Sequence, residues 1–191
     1  QVPLIERVPG SAPTIVHIGT MFWPPNVHGV LWFARKVLPL IHQQIPDARL
    51  VIIGKKPPPE VRSLATDPRI EVAGYVADLA PFLAQADVFI VPVHAGGGMR
   101  VKVLDAWLWG IPIVSTTVGV EGIRVRAEEN ILIADQAETF AAAVTRLLTN
   151  EALNRRLRRN GREWVEQHYH WRSVYQQVDR IYNRLMNIIP S

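Results

Sequence analysis

Cysteine is absent from this chain of 191 residues. That absence excludes a disulfide-stapled scaffold, a cysteine-ligated zinc ribbon and a thiol nucleophile, and it leaves the redox compartment open. No apolar run reaches the roughly 18 residues of a membrane span. The N-terminus lacks the basic start and apolar stretch of a secretory signal. Residues 1–13 carry three prolines and a glycine and read as a linker, so the chain looks like a piece of something longer that starts just upstream of a fold. Other absences exclude chemistry. The loop after the first apolar run holds no G-x-G-x-x-G, against a nicotinamide dehydrogenase, and no G-K-[ST] occurs, against a P-loop NTPase. No G-x-S-x-G elbow occurs, against a serine hydrolase. Histidines lie at no metal-ligating spacing, and His168 and His170 read as satisfied or solvated.

What is present is an ordinary globular composition, 48% hydrophobic and 20% charged. The length predicts one domain over residues 14–191, large enough to bury a core without staples. Net charge is +4. A mildly basic balance suits phosphorylated small molecules, anionic membrane or nucleic acid. From Glu151 to Arg184 there are eight arginines against four acids. This stretch reads as a solvated helix face, with a membrane-surface or partner-domain contact as the competing reading.

Continuous apolar runs alternate with helix-period segments. The runs are Ile15–Ile18, Leu50–Ile53, Ile70–Ala73, Val88–Val91, Ile111–Val114 and Asn130–Ile133. Helical patterns cover Val30–Ile41, Pro59–Ala65, Leu79–Gln85 and Met99–Trp109. Runs of this kind predict strands buried on both faces of a parallel sheet. The fold class expected is α/β, a Rossmann-like, doubly wound parallel sheet of about six strands. Three further helices should follow: one capped by Asp135 with Glu138 three residues on, one over Glu151–His168 bent near Gly161, and one over Trp171–Met186.

Ligands of such sheets bind beyond the carboxyl ends of the strands, where strand order reverses. The strand ends read Gly19-Thr20, Gly54-Lys55, Gly74-Tyr75, His94 to Gly98, and Ser115 to Gly122. Three glycines, Gly96 to Gly98, precede a helix. Free amides at a helix start form an anion site, and glycine admits a phosphate close to the backbone. Arg100 falls in the first turn, where a bound anion would offset its unfavourable position on the dipole. Asp105 is placed to take two sugar hydroxyls. The plain alternatives are a Lys102–Asp105 ion pair on a solvated face and a flexible glycine hinge.

The blocks Gly96 to Ala106, Gly110-Ile111-Pro112-Ile113-Val114-Ser115-Thr116 and Gly119-Val120-Glu121-Gly122 resemble the donor-binding half of GT-B glycosyltransferases, closest to the retaining "group 1" (GT4-like) enzymes. Pro24-Pro25-Asn26 and Gly74-Tyr75-Val76-Ala77-Asp78 fit as well, so the resemblance covers about residues 14 to 186. It implies one half of a GT-B fold that grips a nucleotide sugar. Gly74, Tyr75 and Val76 would line the base pocket. Gly97, Gly98, Met99 and Arg100 would meet the diphosphate, Asp105 the ribose, and Thr116 to Gly122 would close the pocket. Gly19, Thr20 and His94 would complete the lining.

The sequence departs from that pattern at three places. Asp105 stands where the family has glutamate, and Gly97 stands where it has an earlier acid. Thr20 and Pro25 stand near the positions of two cations, so Arg100 and Lys102 are the candidates for stabilising the leaving diphosphate. No Asp-x-Asp occurs, which agrees with a metal-independent route, and no cofactor beyond the donor is expected. The expected partners are a nucleotide sugar, an absent N-terminal domain, a glycan or lipid-linked acceptor and an anionic membrane surface, with no nucleic acid. The expected location is the cytoplasm or the inner face of the membrane, and this fragment alone is expected not to turn over. Two other readings stand beside it: a nucleotide-sugar-binding module that has lost catalysis, and a sugar-nucleotide epimerase using His94.

Overall fold

The computed structural model describes residues 12–169. The expected linker and the helix expected over Trp171–Met186 lie wholly or almost wholly outside them. Six parallel strands form one sheet in the order β3-β2-β1-β4-β5-β6. They are β1 (Thr14–Ile18), β2 (Arg49–Ile53), β3 (Ile70–Gly74), β4 (Val88–Val91), β5 (Ile113–Ser115) and β6 (Leu132–Ile133). The order reverses between β1 and β4, which pair only at Ile15–Val88 and Val16–Phe89.

The side-chain period of two splits the strands between two apolar layers. Ile15, Leu50, Ile52, Val88, Ile90 and Val114 face one side, against α1 (Pro24–Trp32), α2 (Leu38–His42) and α6 (Ala137–Thr149). Val16, Val51, Ile53, Phe89, Val91 and Ile113 face the other, against α4 (Ala80–Leu83) and α5 (Val101–Leu108). The short α3 (Pro59–Arg62) precedes β3. Each large aliphatic side chain buried this way contributes about 1.5–3 kcal/mol.

Several boundaries differ from the sequence pattern for identifiable reasons. The first helical region starts at Pro24, six residues early, because proline is tolerated in a first turn where its missing amide costs nothing. A π turn over Phe33–Val37 joins α1 to α2. Pro39 follows it, and its ring excludes an ordinary bond to the Arg35 carbonyl. Helix α5 starts at Val101 rather than Met99. Strand β5 starts two residues late, and Ile131 before β6 makes an isolated bridge to Ala127. Asp135 does not cap α6. Its carboxylate instead accepts from the Thr117 amide and hydroxyl at 2.8 and 2.7 Å, joining the ends of β5 and β6.

The expected bend at Gly161 is absent, and α7 (Glu151–His168) is continuous. It starts on an Asn150 cap and passes from one layer, at Leu153 and Leu157, to the other, at Val165. Several of its side chains also reach main-chain oxygens. Asn154 donates to the Asp87 carbonyl at 3.1 Å, Arg158 to Gly110 at 2.6 Å, Asn160 to Glu129 at 2.7 Å and Arg162 to Leu108. Arg158 and Arg162 thus meet the C-terminal end of α5, where carbonyls lack helical partners and the dipole favours cations. Two of the arginines that suggested a membrane face are therefore engaged inside the domain. No described helix is long and apolar enough to cross a membrane.

Gly161 is small for packing, not for bending. A Cβ there would lie 2.3 Å from Cδ1 of the buried Trp107, whose Nε1 donates to Asn130 O at 2.9 Å. Gly→Ala inside a helix ordinarily adds up to about 1 kcal/mol. Gly161→Ala should instead lose about 1–3 kcal/mol through overpacking. The urea midpoint reads the sign directly, and an unchanged or raised midpoint would refute this account.

Candidate active site at the strand-order reversal

The chain leaves β1 toward one layer and β4 toward the other. The loops after these strands therefore flank a crevice at the carboxyl edge of the sheet. The backbones crowd closely there. A Cβ on Gly54 would fall 1.7 Å from the Gly19 carbonyl, and one on Gly29 would fall 2.2 Å from the Pro92 carbonyl. Both glycines are steric requirements.

Lys102 reaches into this crevice from the first turn of α5. Its Nζ would be 2.7 Å from a Cβ on Gly19, so Gly19 makes room for it. The ammonium donates to Asn26 Oδ1 at 2.8 Å, and Asn26 Nδ2 donates to the Thr20 carbonyl at 2.9 Å. Asn26 is buried at the start of α1. Its part in the site was visible in the sequence only as the residue after Pro24-Pro25. Among the described residues no carboxylate lies within ion-pair distance of Lys102, so the Lys102–Asp105 pair does not form. Burial first, and then the Arg100 charge, lower the Lys102 pKa to about 8.

Beneath lies His17, fully buried on β1. Its Nδ1 donates to the Ile90 carbonyl at 3.0 Å, just beyond the last paired residues of β1 and β4. Nε2 has no partner. Burial, reinforced by the Lys102 charge, lowers the His17 pKa to about 3, so the ring is neutral.

The glycine loop turns inward on Arg100. The Arg100 guanidinium donates to the carbonyls of Gly97, at 2.7 Å, and of Gly96 and Gly98. It also lies 5.1 Å from the Trp23 ring. His94 and Met99 are exposed at the rim, with the His94 ring edge-on to Trp32 at 4.3 Å. Asp105 is half-buried one turn beyond Lys102, and burial raises its pKa. Thr116 is buried. Its hydroxyl donates to the Val93 carbonyl and accepts from the Gly119 amide at 3.0 Å, fixing the loop after β5. That loop returns at Gly122, whose absent Cβ would touch Met99 at 3.7 Å.

Gly74 ends β3 and Tyr75 and Val76 follow it, two strands from the crevice on the same sheet edge. The Gly74 carbonyl accepts from Gly54 N at 2.7 Å, and Lys55 Nζ lies 4.5 Å from the exposed Tyr75 ring. A separate cavity of about 410 Å³ lies beside α7, lined by Arg126, Glu129, Asn130 and Trp164 among others. The Trp164 ring there is stacked by His168 at 3.8 Å and carries Arg126 at 4.7 Å. Those contacts join α7 to the loop before β6, and the candidate chemistry stays at the crevice. Among the described residues no group of acids and histidines could hold a metal ion.

Comparison with known proteins bears on this geometry. A family model described as glycosyl transferases group 1 matches residues 12–150. The lipopolysaccharide core biosynthesis glycosyltransferase LpsE of Rhizobium meliloti is 28% identical over 162 residues, covering 81% of this chain and 45% of its own. The chain spans about half the length of the curated relatives it matches. The crystal structure of Anabaena HepE in complex with UDP and glucose superposes with a TM-score of 0.69 at 14% identity, over 89% of this chain and 48% of that one. The C-terminal domain of LpcC, a glycosyl transferase group 1 family protein from Francisella tularensis, superposes with a TM-score of 0.69 at 16% identity, over 87% of this chain and 96% of that one.

The buried neutral imidazole sets a pH dependence of stability. The unfolded chain protonates His17 near pH 6.5, whereas the folded chain refuses the proton until about pH 3. Stability should therefore fall as pH drops through that window. His17→Asn keeps a donor for the Ile90 carbonyl but does not titrate. Its urea midpoint should depend less on pH between 6.5 and 3, and an equal dependence would contradict the assignment.

Proposed function

The chain belongs to the group 1 glycosyltransferases, and on that premise we propose that it is the nucleotide-sugar-binding domain of an enzyme that moves a sugar from a nucleoside diphosphate donor to an acceptor hydroxyl. The observation that carries this reading is Lys102, a largely buried ammonium with a neutral amide as its partner and no carboxylate. A buried cation without a counter-ion is costly, and a diphosphate in the crevice supplies the missing charge.

In this reading the bond from the anomeric carbon to the β-phosphate oxygen breaks, and a bond from that carbon to the acceptor oxygen forms. The leaving diphosphate gains negative charge, and the acceptor hydroxyl gives up its proton. Lys102 and the amides of the glycine loop lie where that charge develops and stabilise it without reorganising. Charge stabilisation by these groups is consistent with a metal-independent route, and retention of configuration follows from the family resemblance. Asp105 accepts from the ribose hydroxyls, and Gly74 to Val76 bound the base. HepE, whose structure holds UDP and glucose, shares this fold, which supports the donor class but not the choice of base.

The acceptor, and any group that takes its proton, belong to an N-terminal domain outside this chain. The polysaccharide role of relatives such as LpsE favours a glycan or lipid-linked acceptor. Contact with anionic lipid would fall to Arg155, Arg156 and Arg159, on the exposed side of α7. A second reading, a binding module without turnover, is favoured by Gly97 standing where the family has an acid. Absence of both transfer and donor hydrolysis by the full-length protein, across a donor panel, would select it.

Calorimetric titration with UDP, GDP, ADP and TDP tests the donor site. One nucleotide should bind, and Lys102→Ala should weaken it by about 10- to 100-fold. Asp105→Ala should weaken it as well. The ammonium is the binding form, so affinity should fall as pH rises above about 8. Affinity that is flat from pH 7 to 10, or unchanged in Lys102→Ala, would refute Lys102 as the diphosphate cation.

A further inference from the structure

Arg100 is buried at the start of α5, yet among the described residues no carboxylate pairs with it. Its guanidinium is surrounded by main-chain oxygen: Gly96, Gly97 and Gly98 all present their carbonyls to it. Trp23 closes another side at 5.1 Å. Three successive carbonyls cannot converge on one point in an ordinary loop. Gly96 and Gly98 permit it with φ of +97° and +91°, a region that side chains other than glycine rarely adopt. Gly96 is further fixed because a Cβ would lie 2.9 Å from Trp23 Cζ2. A Cβ on Gly97 would meet nothing within 4 Å, so the loop is packed on one side and open on the other.

Turning the carbonyls inward leaves the other half of each peptide outward. Among the described residues the amides of Gly97, Gly98 and Met99 donate to no protein acceptor. Unpaired successive amides at the start of a helix form an anion-binding concavity. We propose that Arg100 is a positioning residue for the diphosphate site, organising the amides of the glycine loop by gathering its carbonyls, and is not itself a phosphate ligand. The proposal rests on the donor-site reading. It departs from the simplest expectation for an arginine beside a glycine-rich loop, which is direct contact with the anion.

The choice of arginine follows. A guanidinium offers five donors in a flat fork and can serve three carbonyls while stacking on an indole. A lysine has the same charge but a compact head, and it cannot hold the three oxygens in this plane. The Arg100 charge still acts at one remove, since it helps to lower the Lys102 pKa.

The experiment compares wild type, Arg100→Lys and Arg100→Ala in two arms. In the ligand-free arm, backbone 15N relaxation is measured at Gly96, Gly97 and Gly98, with melting curves to verify the fold. Both variants should lose order in the loop, and unchanged relaxation in Arg100→Ala would overturn the proposal. In the second arm, affinities are measured for UDP, GDP, ADP and TDP. Both variants should weaken the preferred nucleotide by about tenfold or more and agree with each other within about threefold. Near-wild-type affinity in Arg100→Lys beside a large loss in Arg100→Ala would show direct phosphate contact and overturn the proposal. If wild type binds none of the four, the donor-site reading fails, and the ligand-free arm still decides whether Arg100 organises the loop. If Arg100→Ala does not fold, Arg100→Lys carries both arms.

Discussion

Strands β1 and β4 are neighbours that must part. They share two paired positions, and the chain then leaves β1 for one face of the sheet and β4 for the other. Each covering helix has to begin on its own side, so the two loops diverge and only side chains meet between them. The crevice is the geometric consequence. His17 sits at its root, its imidazole bonded to the Ile90 carbonyl just past the last paired residues. A hydrogen bond from a side chain there closes the polar accounting that strand pairing would otherwise complete.

What enters the wedge is charge. Two cations, Arg100 and Lys102, come from the start of one helix, the end whose dipole disfavours them. Among the described residues neither has a carboxylate partner, and the acceptors that hold them are neutral: three peptide carbonyls for one and an amide oxygen for the other. Neutral acceptors orient a cation without cancelling it. The local potential therefore stays positive around two largely buried side chains, where it acts more strongly than at an exposed surface. Burial, and after it the Lys102 charge, keeps His17 neutral.

Much of this was legible in the sequence. Continuous apolar runs, the first three closed by glycine, matched the strands to within two residues, because burial on both faces leaves a pattern that needs no partner to interpret. The glycine loop and Lys102 could be named for the same local reason. What could not be read were pairings over long separations. Asn26 meets Lys102 across 76 residues, and Asp135 serves Thr117 rather than its own helix. Gly161 looked like a break because its cause, Trp107, lies on another helix. Arg100 was legible as a cation near the site, but the direction of its side chain depends on the φ of Gly96 and Gly98, which sequence leaves open.

The grip of α7 on the rest of the domain has a bearing on how such a domain can change. Asn154, Arg158, Asn160 and Arg162 hold peptide carbonyls of Asp87, Gly110, Glu129 and Leu108. A carbonyl is supplied by whatever residue occupies the position. Side chains along α5 that face the crevice can therefore be exchanged without disturbing the dock at its far end. The scaffold is insulated from its own binding surface, and drift in donor preference need not be matched by compensating changes in the helix that braces it.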